Sequence, residues 1–218
     1  MKIDLHVHSS ENSGCGHLTV AETLRLYREA GYDGFVLTDH FGRHTANWLR
    51  TKGVEDFVGY TLRSRAEARA LGEREHFTIL TACEFRLDES INDYLVYGMP
   101  EEAIRDWDSL FAMKNGEFLP FAREQGWLVY QAHPFRIGMR IVDPALLFGI
   151  EVRNMNPRHD SRNDIAEAWA RRHRLHAISG SDCHRPDGVG LGGITTEGPV
   201  RSMEELTALL REDRYSLI

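Results

Sequence analysis

Asp4-Leu5-His6-Val7-His8-Ser9-Ser10, DLHVHSS, is the stretch from which the rest of the chain is read. Drawn out as a strand from Lys2 to His8, it alternates side chains across its two faces. Ile3, Leu5 and Val7 fall on one face; Asp4, His6 and His8 fall on the other. The first face is apolar, and the second carries groups that bind metal ions or move protons. A lone His-x-His also suits a surface edge strand, so the remaining sequence has to decide between the two.

The chain has 218 residues and is 42% hydrophobic, enough to bury a core; a single domain over 1–218 is the default expectation. It contains no apolar run long enough for a membrane span and opens on a strand rather than a leader, so a cytoplasmic protein is expected. Cys15, Cys83 and Cys183 are too few for a disulfide framework and are read as free packing thiols. A net charge of -7 speaks against a stable nucleic-acid complex. Bound cations can nonetheless make one cleft of an acidic protein attractive to anions.

Helix signals are clear at Thr19 with Glu22, a capping box stopped at Gly31, and again at Ser202 with Glu205. GFVLTDH (34–40), HFTILTACEF (76–85), NDYLVYG (92–98), GWLVYQAHP (126–134), GIEVRN (149–154) and LHAISGSDCH (175–184) read as further strands, with RYSLI (214–218) closing. Helices fall between them, including the charged YTLRSRAEARALGERE (60–75), whose charges read as a solvated face, and EEAIRDWDSLFAMK (101–114). Alternating strands and helices with apolar strands imply an α/β fold with a parallel sheet. Seven main strands in this length fit a distorted seven-stranded barrel better than a full eight-stranded one.

Candidate ligands recur where these strands end. His6 and His8 close the first, Asp39 and His40 the second, Glu84 the third; Asp93 sits on the fourth, His133 ends the fifth, Asn154 the sixth, Asp182 and His184 the seventh. In a parallel barrel those ends share one rim, where active sites are built. Asp182 and His184 have the parity of His6 and His8, and Pro134 biases His133 toward extended backbone. Glu84, Asp93 and Asp182 with six histidines, counting His17, make an oxygen and nitrogen set suited to zinc, manganese or iron.

DLHVHSS, CGH (15–17), TDH (38–40), CEF (83–85), AHPF (132–135) and GSDCH (180–184) resemble, in order and spacing, the motifs of the PHP family, named for polymerase and histidinol phosphatase. The resemblance runs from residue 4 to about residue 192. It implies a metal-dependent phosphoesterase on a distorted seven-stranded TIM-like barrel with a trinuclear centre. His6, His8, Glu84 and Asp182 would hold a first ion, Glu84 bridging to a second that also takes His133, and His17, His40 and His184 would hold a third. The chain departs from the family at the second position, where Asp93, or Asn92 in the adjacent register, stands in place of a histidine.

The chemistry expected is attack by a metal-bound hydroxide on a phosphate monoester or small diester, the substrate being a small phosphorylated metabolite or a nucleotide. Arg136, Arg158 and His159 are candidates for binding phosphate, and Arg43 and His44 for contacting the leaving group. Arg158 reads equally well as a surface ion-pairing residue, and His159 as a helix-start residue. Asp39 is a candidate proton donor and Asp4 a candidate support for a ligand imidazole. A metal-dependent amidohydrolase is the alternative enzyme. No lysine lies where a carbamate bridge would need one, since Lys52 and Lys114 fall in predicted helices. A non-catalytic, metal-stabilised regulatory module is the alternative outside enzymes, disfavoured by the number of charges it would keep buried.

Overall fold

In the computed structural model, which describes residues 1–218, the opening stretch is a strand, β1 (Lys2–Val7), and both of its faces are covered. Ile3, Leu5 and Val7 are fully buried, and so are Asp4 and His6. The chain continues through α1 (Val20–Glu29), β2 (Gly34–Leu37), β3 (His40–Phe41), α2 (Arg43–Thr51), α3 (Phe57–Glu75), β4 (Thr78–Thr81) and β5 (Cys83–Phe85). There follow β6 (Tyr94–Tyr97), α4 (Glu101–Ile104), α5 (Trp107–Ala112), α6 (Asn115–Glu124) and β7 (Leu128–Gln131). The last third adds β8 (Gly149–Asn154), α7 (Asn163–His173), β9 (His176–Gly180), β10 (Ile194–Thr195), α8 (Met203–Arg211) and β11 (Ser216–Leu217). No helix is long and apolar enough to cross a membrane.

Local chemistry sets the helix ends as the sequence predicts. Thr19 and Glu22 form the reciprocal capping box of α1, and the Ser202 hydroxyl accepts from the Glu205 amide at the start of α8. The charged face of α3 departs from expectation at one residue. Arg65 is buried, and its guanidinium donates to the Ala82 carbonyl at 2.6 Å, in the break between β4 and β5.

The closed seven-stranded parallel barrel is not what the strands form. They make a mixed five-stranded sheet, β11-β10-β1-β2-β4, and a mixed six-stranded sheet, β3-β5-β6-β7-β8-β9. The expected second and third strands are each split, into β2 and β3 and into β4 and β5, so both segments pass from sheet to sheet. β6 runs antiparallel to both β5 and β7. The Arg86–Asp93 connection is too short for the helical crossover that a parallel pair needs. β10 and β11 also pair antiparallel. On the far side, a parallel bridge between Val7 and Cys183 ties the end of β1 to the segment after β9.

What positions the site survives this revision. β1, β3, β5, β7, β8 and β9 deliver their C-terminal ends to one edge, and the reversal of β6 brings its N-terminal end, with Asp93, to that edge too. The largest apolar cluster, which includes Phe41, Phe85, Phe111 and Phe118, packs the second sheet against α5 and α6, Phe85 and Phe118 stacking at 4.5 Å. Gly180 lets β9 lie against β1: a Cβ there would stand 2.4 Å from the Cβ of His6.

Candidate metal centre

β1 carries His6 into the interior, where its Nδ1 lies 2.9 Å from Glu151 Oε1 on β8. A carboxylate only accepts, so Nδ1 holds a proton and Nε2 is left to take a second proton or an ion. His8, just beyond β1, is held in the same way through an intermediary. Its Nδ1 lies 3.2 Å from the Ser13 hydroxyl, which donates onward to Asp39 Oδ1 at 2.9 Å. The two Nε2 atoms then face each other at 3.0 Å, and a proton or a cation must lie between them.

Carboxylate oxygens close in around the pair. His6 Nε2 is 3.6 Å from Glu84 Oε1 and 3.5 Å from Asp182 Oδ1, while His8 Nε2 is 3.4 Å from Glu84 Oε2 and 3.3 Å from Asp182 Oδ1. Four ligand atoms about 2.1 Å from one ion in a tetrahedron stand roughly 3.4 Å apart. The donor set fits such an ion. Glu84 reaches further, to His133 Nε2 at 3.0 Å and His40 Nδ1 at 2.7 Å. The latter approach lacks hydrogen-bond alignment, leaving Glu84 Oε2 and His40 Nδ1 buried without partners. Three groups bring ligand atoms within 4.8 Å of one another: His6, His8 and Asp182; His8, His40 and His184; and His40, Glu84 and Asp93.

Electrostatics shows the same demand for positive charge. Burial pushes the His6 imidazole toward neutrality, yet Glu151, Asp182 and Glu84 hold its pKa well above the ordinary value. His40 is raised too, against burial, chiefly by Glu84. His8 is driven well down by burial and by His184 and His40. Burial would raise Glu84, but His40 and His6 keep it ionised far below the usual carboxylate range; Asp182 is likewise held down against burial, His6 acting most strongly.

The backbone at two of these residues is not extended, contrary to the sequence reading. His133 has φ +30° and Asp182 φ +51°, a region that favours glycine. Strain at an otherwise well-packed edge marks side chains aimed for a purpose other than packing.

The other expected residues divide. Asp93 reaches the centre, whereas the Asn92 side chain turns away onto the Arg140 backbone. His17 is exposed at the rim; its amide donates to the His184 carbonyl at 2.9 Å, and its ring does not join His40 and His184. The Cys15 thiol, read as packing, approaches those two imidazoles instead; against burial, His184 and His40 bring its pKa down to about 6. Asp39 faces away from the cleft, its oxygens accepting from Ser9 and Ser13, so it steadies His8 rather than meeting a leaving group. Asp4 accepts from the His6 and Ser181 amides and the Tyr27 hydroxyl, so it holds backbone rather than an imidazole.

A cleft of about 480 Å³ opens over the centre, lined by Arg136, Arg158 and His159 as expected. Arg185 and Arg86 line it as well, and neither was singled out from the sequence. Arg136 and Arg185 make no side-chain hydrogen bond or ion pair, while Arg158 pairs with Asp187 at 2.8 Å. His159 Nε2 lies 3.3 Å from Asp182 Oδ2, which also accepts from Asn154 at 3.2 Å. Arg43 points elsewhere, bound to Asp88 and Asp108, and His44 sits behind His40 with ring centroids 5.6 Å apart. A larger recess, about 920 Å³, opens at the far end by the start of β4 and gathers no ligating cluster.

A family model described as PHP-associated (PHP_C) matches residues 160–215, the part that carries Asp182 and His184. No curated protein matches the chain. Its fold is similar to that of a two-domain protein from Bacteroides vulgatus ATCC 8482 containing a predicted PHP-like metal-dependent phosphoesterase, with TM-score 0.69 at 20% identity over 100% of this chain. The chain spans 64% of that protein's length. A provisionally assigned metal-dependent phosphoesterase from Bifidobacterium adolescentis ATCC 15703 is similar at TM-score 0.60 and 15% identity, with 96% of each chain covered. So is an amidohydrolase from Chromobacterium violaceum with bound sulfate and no metal, at TM-score 0.57 and 19% identity over 99% of this chain and 98% of that one.

Proposed function

We propose that this protein belongs to the PHP family, as the C-terminal match and the shared fold support, and that it is a metal-dependent phosphoesterase acting on small phosphate monoesters or diesters. The observation that carries the reading is the convergence of imidazole and carboxylate ligand atoms at 3.0–3.6 Å beneath a cleft with two unpaired arginines. His6, His8, Glu84 and Asp182 would hold one divalent ion, and His40 and His184 would hold a further one, with His133 meeting Glu84 between them. When bound, such ions polarise phosphoryl oxygens and acidify a water.

The chain's own residues do the rest. Glu151 fixes the His6 tautomer and turns the ring, and Ser13 with Asp39 does the same for His8. Asn154 and His159 hold the second oxygen of Asp182, leaving its first toward the histidines. Arg136 and Arg185 are free to take phosphate oxygens, and a guanidinium matches that geometry with two parallel hydrogen bonds. An amide substrate is the second reading, favoured by the likeness to the Chromobacterium amidohydrolase; the arginines favour phosphate.

Hydrolysis of a chromogenic phosphomonoester, phosphodiester and anilide, each with and without chelator, tests this. Phosphoester turnover abolished by chelation and restored by manganese or zinc is expected. Metal binding without turnover of any ester would leave a non-catalytic module. His6→Ala and Asp182→Ala should lose both metal and activity, while Cys83→Ala, altering a buried thiol, should keep most of both.

A further inference from the structure

Resting on the metal-dependent reading above, we infer that Arg86 takes the place of a divalent ion at the second position of the centre, so that ions are held only around His6, His8, Glu84 and Asp182 and around His40 and His184. Asp93 and Arg86 face each other across the turn between β5 and β6. Nε lies 2.5 Å from Oδ1 and Nη2 lies 2.6 Å from Oδ2, a two-pronged charge-assisted pair. The Asp93 side chain is 1% exposed and that of Arg86 33%, so the carboxylate is enclosed while the guanidinium reaches the cleft.

The contrast with the first position decides the matter. Between His6 and His8 two imidazole nitrogens and three carboxylate oxygens crowd together with too few protons to join them. At the second position, where His40, Glu84 and Asp93 come within ligating reach, the Asp93 carboxylate is already paired. Glu84 Oε1 accepts from His133 Nε2 at 3.0 Å, and both oxygens of Asp93 accept from Arg86. His133 Nε2 comes no closer to Asp93 Oδ2 than 4.0 Å. An ion entering here would have to break a half-buried pair and then sit beside a guanidinium that cannot shed its proton. Arg86 thereby supplies a fixed positive charge on the cleft wall, independent of metal supply.

Metal counting tests this without relying on turnover. Wild-type protein, Arg86→Met, Asp93→Asn and the double variant are loaded with Mn²⁺, freed of excess by gel filtration and analysed by elemental mass spectrometry, with circular dichroism confirming the fold. The wild type should retain no more than about two equivalents. Arg86→Met should gain one, the double variant should lose that gain, and Asp93→Asn alone should leave the wild-type count unchanged. Three equivalents in the wild type, loss of one in Asp93→Asn, or no gain in a folded Arg86→Met would each overturn the inference while leaving the metal-dependent reading intact. A wild-type protein that retains no ion overturns both.

Discussion

Glu151 is the residue on which the precision of the centre depends most. One oxygen meets His6 Nδ1, and the other accepts from the His133 amide and the Asn154 side chain, each at 2.9 Å. It therefore ties a β1 ligand to a residue at the end of β7. Glu151→Gln keeps the shape but removes the charge, and metal affinity should fall by about 10- to 100-fold, read by competition with a chromophoric chelator. Unchanged affinity would mean that the His6 ring is held by packing alone. Asp4 allows a test by pH. Burial raises it to about 6 from an ordinary 3.8. The stability this contributes is present below pH 3.8 and lost as pH rises through 6. Asp4→Asn removes the dependence, so in metal-depleted protein the variant's unfolding free energy should rise relative to wild type between pH 4 and 7, by at most about 3 kcal/mol. A difference independent of pH would show that Asp4 is not buried as described. His6 and His8 were legible because parity within one strand is local. Glu151 was not, since only the pairing of distant strands shows which face of GIEVRN meets β1.

Among the elements, the helices were the most readable, because a cap is chemistry between residues three apart. The sheets were less so. The reversal of β6 lies in the length of one connection, and it decides why Asp93 stands opposite Arg86. The close passage of β9 over β1 at Gly180 is a second element-scale constraint. A methyl group there would meet His6 Cβ at 2.4 Å and Glu151 Oε1 at 2.9 Å. Gly180→Ala should therefore destabilise the fold by about 1–3 kcal/mol in chemical denaturation, and weaken metal binding as β9 is pushed away. Full stability in this variant would contradict the close approach of the two strands. The positive φ at His133 and Asp182 could not be foreseen, because the sequence around both suggests extended backbone.

For the molecule as a whole, the formal charge of -7 predicts little about the face presented to substrate. Arg86, Arg136, Arg158 and Arg185 all line one cleft and come from separate segments, so their gathering shows only in three dimensions. If Arg136 and Arg185 bind phosphate, replacing either with alanine should lower kcat/KM by roughly 10- to 100-fold, as expected for hydrogen bonds to a charged group. The double variant should also show a weaker dependence on ionic strength. Kinetics insensitive to both changes would assign these arginines to the surface.

The centre draws on residues from His6 near one end of the chain to His184 near the other, and on Glu84 and Glu151 between them. The first 93 residues carry His6, His8, His40, Glu84 and Asp93, but Asp182 and His184 arrive only with the segment after β9, so the centre is complete only once that segment has settled beside β1. Metal acquisition would then be among the last events in the protein's maturation.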